Sequence, residues 1–208
     1  MHDVEDDGFA SIAHSELLHS ICLILLEPLI STKYSLHLSY TFAADITPSQ
    51  FIYVNGRWKL NDFNRCRFMR IYKDSNEPCG FYVGANPGKF RAPEEYRFDE
   101  EDEMIDVYSM GNIFYTLLAG EMPFEGQKES KAQKKVMDGI RPKIPEEVME
   151  SDDIAIQALI SATKKAWKHD PRNRPSAASI AEELKEVMAR IQEDGIEKNV
   201  TRDEKVRR

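Results

Sequence analysis

The stretch Ile105-Asp-Val-Tyr-Ser-Met-Gly-Asn-Ile-Phe-Tyr-Thr-Leu-Leu-Ala-Gly120 is apolar on nearly every side when it is wound into an α-helix. A helix of this kind is stable only where other elements cover it from several directions. Gly120 suits the left-handed residue that ends a helix, and Pro123 prevents its resumption. The stretch therefore predicts a buried central helix over about 105–119, in a mainly α fold.

One charge, Asp106, interrupts the apolar stretch. A buried carboxylate requires hydrogen-bond donors, so we expect Asp106 to hold a loop in place. A first-turn Asp is also common simply because it suits the positive end of a helix, and the residue alone leaves both interpretations open.

The composition restricts the class of protein. The chain has 208 residues, enough for one sizeable core, and its net charge of −8 argues against a nucleic-acid partner. Three cysteines without a CxxC pair favour a reducing, cytoplasmic location. The apolar run 21–26 is too short to cross a bilayer, so no membrane segment is expected.

A hairpin is predicted at Phe51-Ile-Tyr-Val-Asn-Gly-Arg-Trp-Lys-Leu60, because Asn-Gly favours a two-residue type I′ turn. Counted outward from the turn, Phe51 faces Leu60, and the next residues bring Gln50 beside Asn61 and Asp62. Asp45 lies just upstream. Two carboxylates and an amide oxygen should therefore converge at the open end of the hairpin, although Asp is also an ordinary turn residue there.

The other segments are predicted more coarsely. Residues 63–91 have the composition of a long surface loop, and 193–208 have that of a solvated, charged tail. A last helix is capped by Ser176 or, in a capping box, by Ser179. The predicted helices, in chain order, are 17–25, 105–119, 127–138, 153–167 and about 177–191.

The order of the motifs along this chain resembles that in the C-terminal lobe of a protein kinase. Some of its sequence features are similar to those of the tyrosine-kinase-like branch. The similarity extends from about 43 to 191, while 1–40 match poorly. We therefore predict a kinase-like domain over 1–192. The motifs that carry the resemblance are Asp45-Ile-Thr-Pro-Ser-Gln50, Asp62-Phe-Asn64, Ala92-Pro-Glu94, Asp106-Val-Tyr-Ser-Met-Gly111 and Arg174.

The resemblance implies a role for each motif residue. Asp45 would accept the proton of the attacking hydroxyl, and Asp62 with Gln50 would supply oxygen ligands to the Mg²⁺ that bridges the ATP phosphates. Glu94 would pair with Arg174, and Asp106 would anchor the catalytic loop. The implied partner is a protein substrate or a scaffolded protein.

Several positions depart from the family pattern. Ala43-Ala44 stand where His-Arg is usual, Gln50 replaces Asn, and Asn64 replaces the Gly of the metal-binding triplet. No G-x-G-x-x-G occurs, and the 44 residues before Asp45 are too few for a phosphate-covering lobe. The resemblance implies ATP-dependent phosphorylation of protein hydroxyls as the ancestral activity. The expected alternatives are a pseudokinase scaffold and a truncated product, and this chain alone is expected to be inactive.

Overall fold

The computed structural model describes residues 41–55, 57–68, 70, 72–75 and 79–206. The helix predicted at 17–25 lies outside these residues. Six α-helices occur in the described part of the chain. They are α1 Pro93–Arg97, α2 Met104–Ala119, α3 Glu129–Met137, α4 Glu146–Met149, α5 Ile154–Ala166 and α6 Ala177–Val206.

Helix α2 is the centre of the fold, as its apolar sequence predicts. All its residues from Ile105 to Tyr115 are buried, and Gly120 ends it in the left-handed conformation with φ 69°. One apolar cluster joins Met110 and Phe114 of α2 to α5 and α6. A second cluster joins Tyr108 of α2 to α3 and Trp167. Each large side chain buried in this way stabilises the fold by roughly 1.5–3 kcal/mol.

The predicted hairpin is confirmed with its register. Strands β2, Phe51–Val54, and β3, Arg57–Leu60, pair antiparallel, with Phe51 opposite Leu60 and Val54 opposite Arg57. Asn55 has the positive φ, 54°, that a type I′ turn requires. Beyond the strands, the Asn61 N–H donates to the Gln50 carbonyl at 2.7 Å.

Two predictions need correction. The segment 63–91 is not all loop, because β4, Arg67–Phe68, pairs with β1, Thr41–Phe42. Strands of two residues have no periodicity by which sequence could reveal them. The backbone of α6 also continues through the predicted tail to Val206. Lys, Arg and Glu are good helix formers, and extending an existing helix avoids the cost of nucleation.

The remaining helix predictions hold within a few residues. The segment 127–138 contains α3, and 153–167 contains α5, whose N-terminal N–H groups bond to the Asp153 carboxylate. Ser176, the earlier of the two proposed caps, accepts the Ser179 N–H at 3.2 Å. Among the described helices, none combines the length and hydrophobicity needed to cross a membrane.

Helix α2 packs tightly against the C-terminal end of α5 at Gly111. A methyl group there would lie 2.8 Å from Trp167 Cδ1 and 2.9 Å from Ala166 Cβ. We expect Gly111→Ala to lower the free energy of unfolding by about 1–3 kcal/mol in urea denaturation, because overpacking outweighs the better helix propensity of Ala. Gly84→Ala is the control, since no atom lies within 4 Å of its added methyl. Equal stability of the two variants would contradict this packing.

Candidate active site

The segment 43–50, which we call the Asp45 loop, begins with a conformation that its sequence does not favour. Ala44 has φ 56°, in the left-handed region that costs an L-residue roughly 1–2 kcal/mol. Both Ala43 and Ala44 are buried. Their peptide groups therefore need partners from elsewhere in the fold, and those partners must also offset the strain.

Asp106 of α2 supplies two of these partners. Its carboxylate accepts the Ala43 N–H at 2.6 Å and the Ala44 N–H at 2.9 Å. Burial, the largest effect, raises the pKa of Asp106 to about 7, while the two N–H donors oppose that rise. The contact joins residues more than 60 positions apart, so the central helix directly fixes the backbone that leads into Asp45.

Arg91 holds the same loop from the other side. Its Nη1 donates to the Ala44 carbonyl at 3.1 Å, and its Nη2 donates to Asp45 Oδ1 at 3.0 Å. The guanidinium also bonds to the Pro87 carbonyl and to Glu95 Oε1. The Asp45 carboxylate is thus oriented through Oδ1, and no described residue bonds to its Oδ2.

Glu95 fixes Arg91 in turn. Its second oxygen accepts the Ala92 N–H at 2.6 Å, in a capping arrangement at the start of α1. Burial raises the pKa of Glu95 to about 8, although the Ala92 N–H and the positive charge of Arg91 both lower it. Sequence reasoning missed Arg91. The Arg91–Glu95 spacing of four residues was the available signal, and it could not reveal the bond to Asp45.

Two further polar residues of α2 hold the segment that carries Arg91. The Phe90 carbonyl accepts from Ser109 Oγ at 3.0 Å and from Asn112 Nδ2 at 2.8 Å. The amide oxygen of Asn112 accepts the Trp167 indole N–H at 2.9 Å. Asp106, Ser109 and Asn112 recur every three residues and therefore share one side of the helix. The sequence analysis considered Asp106 alone.

The predicted metal ligands lie at the open end of the hairpin. Gln50 follows Pro48 in a short 3₁₀ turn, and its carbonyl is bonded to Asn61, the neighbour of Asp62. Asp62 is exposed, has φ 61°, and accepts the Asn64 N–H on Oδ1 at 3.1 Å. No side-chain bond joins Asp45, Gln50 and Asp62 to one another in the described residues.

Glu94 and Arg174 form a buried, bidentate ion pair. Arg174 Nη1 and Nη2 donate to the two Glu94 oxygens at 2.5 and 2.8 Å, and the side chains are 0% and 3% exposed. Arg174 also donates to the carbonyls of Met104 and Lys168. This pair connects α1, the start of α2 and the loop before α6, so it holds these elements of the fold together.

We expect Glu94→Gln and Arg174→Met each to lower the free energy of unfolding by about 3–5 kcal/mol, because either change leaves the other buried charge without its partner. The double variant should lose much less than the sum of the two single losses. Chemical denaturation of all four proteins measures this coupling. Additive losses would mean that the pair does not act as a unit.

Glu101 is buried, and its carboxylate has no hydrogen bond of standard geometry from a described residue, although the Asn86 side chain lies close enough to interact with it. The side chain of Glu101 is 1% exposed. Its backbone bridges to Phe81 in both directions. Burial, followed by the charge of Glu94, raises the pKa of Glu101 to about 7, while Arg91, Arg65 and the Asn86 side chain lower it.

The raised pKa of Glu101 predicts that the stability of the fold depends on pH. The pKa of this carboxyl group in the folded state lies above the ordinary value of 4.5, so protonation favours folding. That stabilisation is complete below about pH 4.5 and is lost as pH rises through about 7. We expect Glu101→Gln to be more stable than the natural chain by on the order of 2 kcal/mol at pH 8 and by much less at pH 5. Calorimetry at both pH values tests this, and a pH-independent difference would contradict it.

Comparisons with known proteins place this geometry in context. A profile of the protein kinase domain matches residues 22–184, beginning upstream of the stretch that the motifs identify. The serine/threonine-protein kinase VIK of Arabidopsis thaliana is 28% identical over 72% of this chain and 33% of its own length. Serine/threonine-protein kinase STY46 from the same plant is 32% identical over 55% of this chain and 19% of its own.

A mouse protein, leucine-rich repeat serine/threonine-protein kinase 1, is 35% identical over 62% of this chain and 6% of its own length. The relatives also include the dual specificity protein kinase pyk3 of Dictyostelium discoideum, 33% identical over 51% of this chain and 7% of its own length. This chain therefore spans a third or less of the length of these proteins. Members of the tyrosine-kinase-like branch are among them, as the motifs suggested.

Proposed function

This chain belongs to the protein kinase domain family, and from that membership and the Asp45 loop we propose that it supplies the catalytic carboxylate for transfer of the γ-phosphoryl group of ATP to a protein hydroxyl, a reaction that also needs a Gly-rich phosphate-covering loop that these 208 residues do not contain. The observation that carries the proposal is the way in which the Asp45 carboxylate is held. Its loop is fixed by Asp106, its Oδ1 is oriented by Arg91, and its Oδ2 has no partner among the described residues. A carboxylate oriented through one oxygen keeps the other for a proton.

In this proposal Asp45 accepts the proton of the substrate hydroxyl on Oδ2. The hydroxyl oxygen forms a bond to the γ-phosphorus as the bond from that phosphorus to the ADP oxygen breaks. Such a reaction depends on positioning and charge more than on covalent chemistry, so holding the carboxylate in place is a direct contribution. Arg91 is a positioning residue, because it acts through Asp45.

The chemistry of the donor set fits a magnesium ion. The side chains of Asp62 and Gln50 are hard oxygen donors, and Mg²⁺ is usually bound by one or two carboxylates together with phosphates and water. Asp62 has one oxygen bonded to Asn64, which leaves the other for a ligand. When bound, Mg²⁺ neutralises charge on the ATP phosphates.

The domain limits and the compartment belong to the proposal as well. We retain a kinase-like domain over 1–192 and assign 193–208 as a charged extension of α6. An intracellular location is supported by the need for ATP and by Cys66 and Cys79, which are both free thiols.

The proposal is tested with the chain joined to any upstream coding sequence that supplies a Gly-rich loop, by phosphate transfer from radiolabelled ATP to a general protein acceptor such as casein. We expect Asp45→Asn to reduce the rate at least about 100-fold, because general-base catalysis of this kind contributes 10²–10⁴. The matched control is Asp152→Asn, an exposed carboxylate just before α5, which should leave the rate unchanged. A natural chain no faster than its Asp45→Asn variant would overturn the proposal.

A pseudokinase scaffold is the second candidate, and one observation favours it specifically. Arg91 pairs with Asp45 at 3.0 Å, so the candidate catalytic carboxylate serves as a structural contact within its own fold. The melting temperature with and without Mg-ATP separates the candidates. A ligand stabilises only a folded state that binds it. A clear rise in melting temperature with Mg-ATP therefore supports the transferase, and an unchanged melting temperature supports the scaffold.

A further inference from the structure

A cavity of about 450 Å³ lies between the chain that follows α3 and the face of α5. This volume is within the range of sites that bind small molecules or peptide side chains. We call it the Trp167 groove. Its lining residues are Arg141, Pro142, Lys143, Ile144, Glu146, Met149, Lys164 and Trp167.

The groove has an apolar floor and an exposed rim. Ile144 and Trp167 are each 7% exposed and are fixed by the core, and the Trp167 indole N–H is already bonded to Asn112. Met149 is 36% exposed, so part of the apolar surface faces solvent. Sites that recognise ligands are usually concave and lined by apolar side chains that the protein core holds in place.

Arg141 is held rigidly at this floor. Its Nε donates to the Trp167 carbonyl at 3.1 Å, and Nη1 donates to the carbonyls of Val136 and Ile140 at 3.2 Å each. The guanidinium lies 5.0 Å above the Tyr108 ring. No described residue accepts from Nη2. A charged donor is therefore oriented in advance, with one nitrogen left for an incoming acceptor.

The charges around Arg141 favour an anionic ligand. Burial lowers the pKa of Arg141, and the positive charges of Arg174 and Arg97 lower it further, while Tyr108 and the more distant Glu94 carboxylate, which is paired with Arg174, raise it. At the rim, Lys143 is paired with Glu146, and these two charges cancel. Arg141 and Lys164 have no carboxylate partner in the described residues. The groove thus presents uncompensated positive charge on a chain whose net charge is −8.

We propose that the Trp167 groove binds a short segment of a partner protein in which a large apolar side chain stands next to Asp or Glu. The apolar side chain would pack on Trp167, Ile144 and Met149, and the carboxylate would meet Arg141 and Lys164. An extended segment is favoured because Lys143, Glu146, Met149 and Lys164 are all exposed along the rim, so a chain can enter and leave. Buried aromatic anchors beside an Arg commonly dominate such interfaces.

This inference does not rest on phosphate transfer. The groove shares no lining residue with the Asp45 loop, and occupation is measured as binding. A transferase and a scaffold would each use such a docking site, so failure of either proposal leaves the other open to test.

The probe is an array of heptapeptides with Leu, Met, Phe or Trp at the centre, flanked by Glu, Gly or Lys. The best member is then labelled with fluorescein, and its affinity for the full chain is measured by anisotropy. We expect Glu-flanked peptides to bind at least about fivefold more tightly than their Gly-flanked counterparts, and Lys-flanked peptides to bind least. No binding above background, or binding that ignores the flanking charge, would overturn the proposal.

Matched variants locate the site. Lys164→Glu and Met149→Ala should each weaken the best peptide about fivefold, because they remove one charge contact and one apolar contact. Lys185→Glu and Met122→Ala change an exposed residue of the same type that does not line the groove, and they should leave the affinity unchanged. All four side chains are exposed, so folding is retained and is checked by the melting temperature.

Other occupants would be recognised in the same experiments. If dodecanoate binds at Lys164 and Met149 while no peptide does, the groove is a fatty-acid site and the proposal is wrong. It is also wrong if the chain dimerises through the groove, so that Lys164→Glu converts a dimer to a monomer in sedimentation and no peptide binds.

Discussion

The carboxylate of Asp106 is the interaction on which the candidate site depends. It lies inside the central helix, is buried, and accepts two backbone N–H groups from a distant loop. Those N–H groups belong to Ala43 and Ala44, and Ala44 has a backbone conformation that alanine does not adopt readily. Charged hydrogen bonds of this kind contribute about 1.5–3 kcal/mol each, enough to offset that strain. Without them, the backbone entering Asp45 would relax to an ordinary conformation and carry the carboxylate elsewhere.

The same helix organises the second half of the site. Ser109 and Asn112, one and two turns beyond Asp106, hold the Phe90 carbonyl, and Asn112 also ties Trp167 of the core to that contact. Arg91 follows Phe90 and extends to the Asp45 loop, so both loops are fixed to one helix and to each other. An otherwise apolar helix thus carries a narrow polar stripe. The core that this helix forms and the geometry of the candidate site are consequences of the same residues.

Features governed by local rules could be predicted from sequence. The hairpin register follows from a two-residue turn that fixes every pair counted outward, and α2 follows from a run that is apolar on all sides. Contacts between distant segments do not follow from local rules: those of Asp106 and of Glu94 with Arg174 were expected only through the family resemblance, and others were missed. Arg91 reaches Asp45 across 46 positions, and the pairing of β1 with β4 involves two residues from each strand. The helical end of α6 was missed for another reason, since a helix that has already begun can continue without apolar residues.

The account depends most on the claim that Asp106 fixes the Asp45 loop. Amide hydrogen exchange at Ala43 and Ala44, compared between the natural chain and Asp106→Asn at a pH above the Asp106 pKa of about 7, tests it directly, with Leu159 in α5 as the internal reference. The account predicts exchange at the two alanine amides at least about tenfold faster in the variant, with little change at Leu159, because a charged acceptor has been removed from two buried donors. Equal protection of Ala43 and Ala44 in both proteins would contradict it.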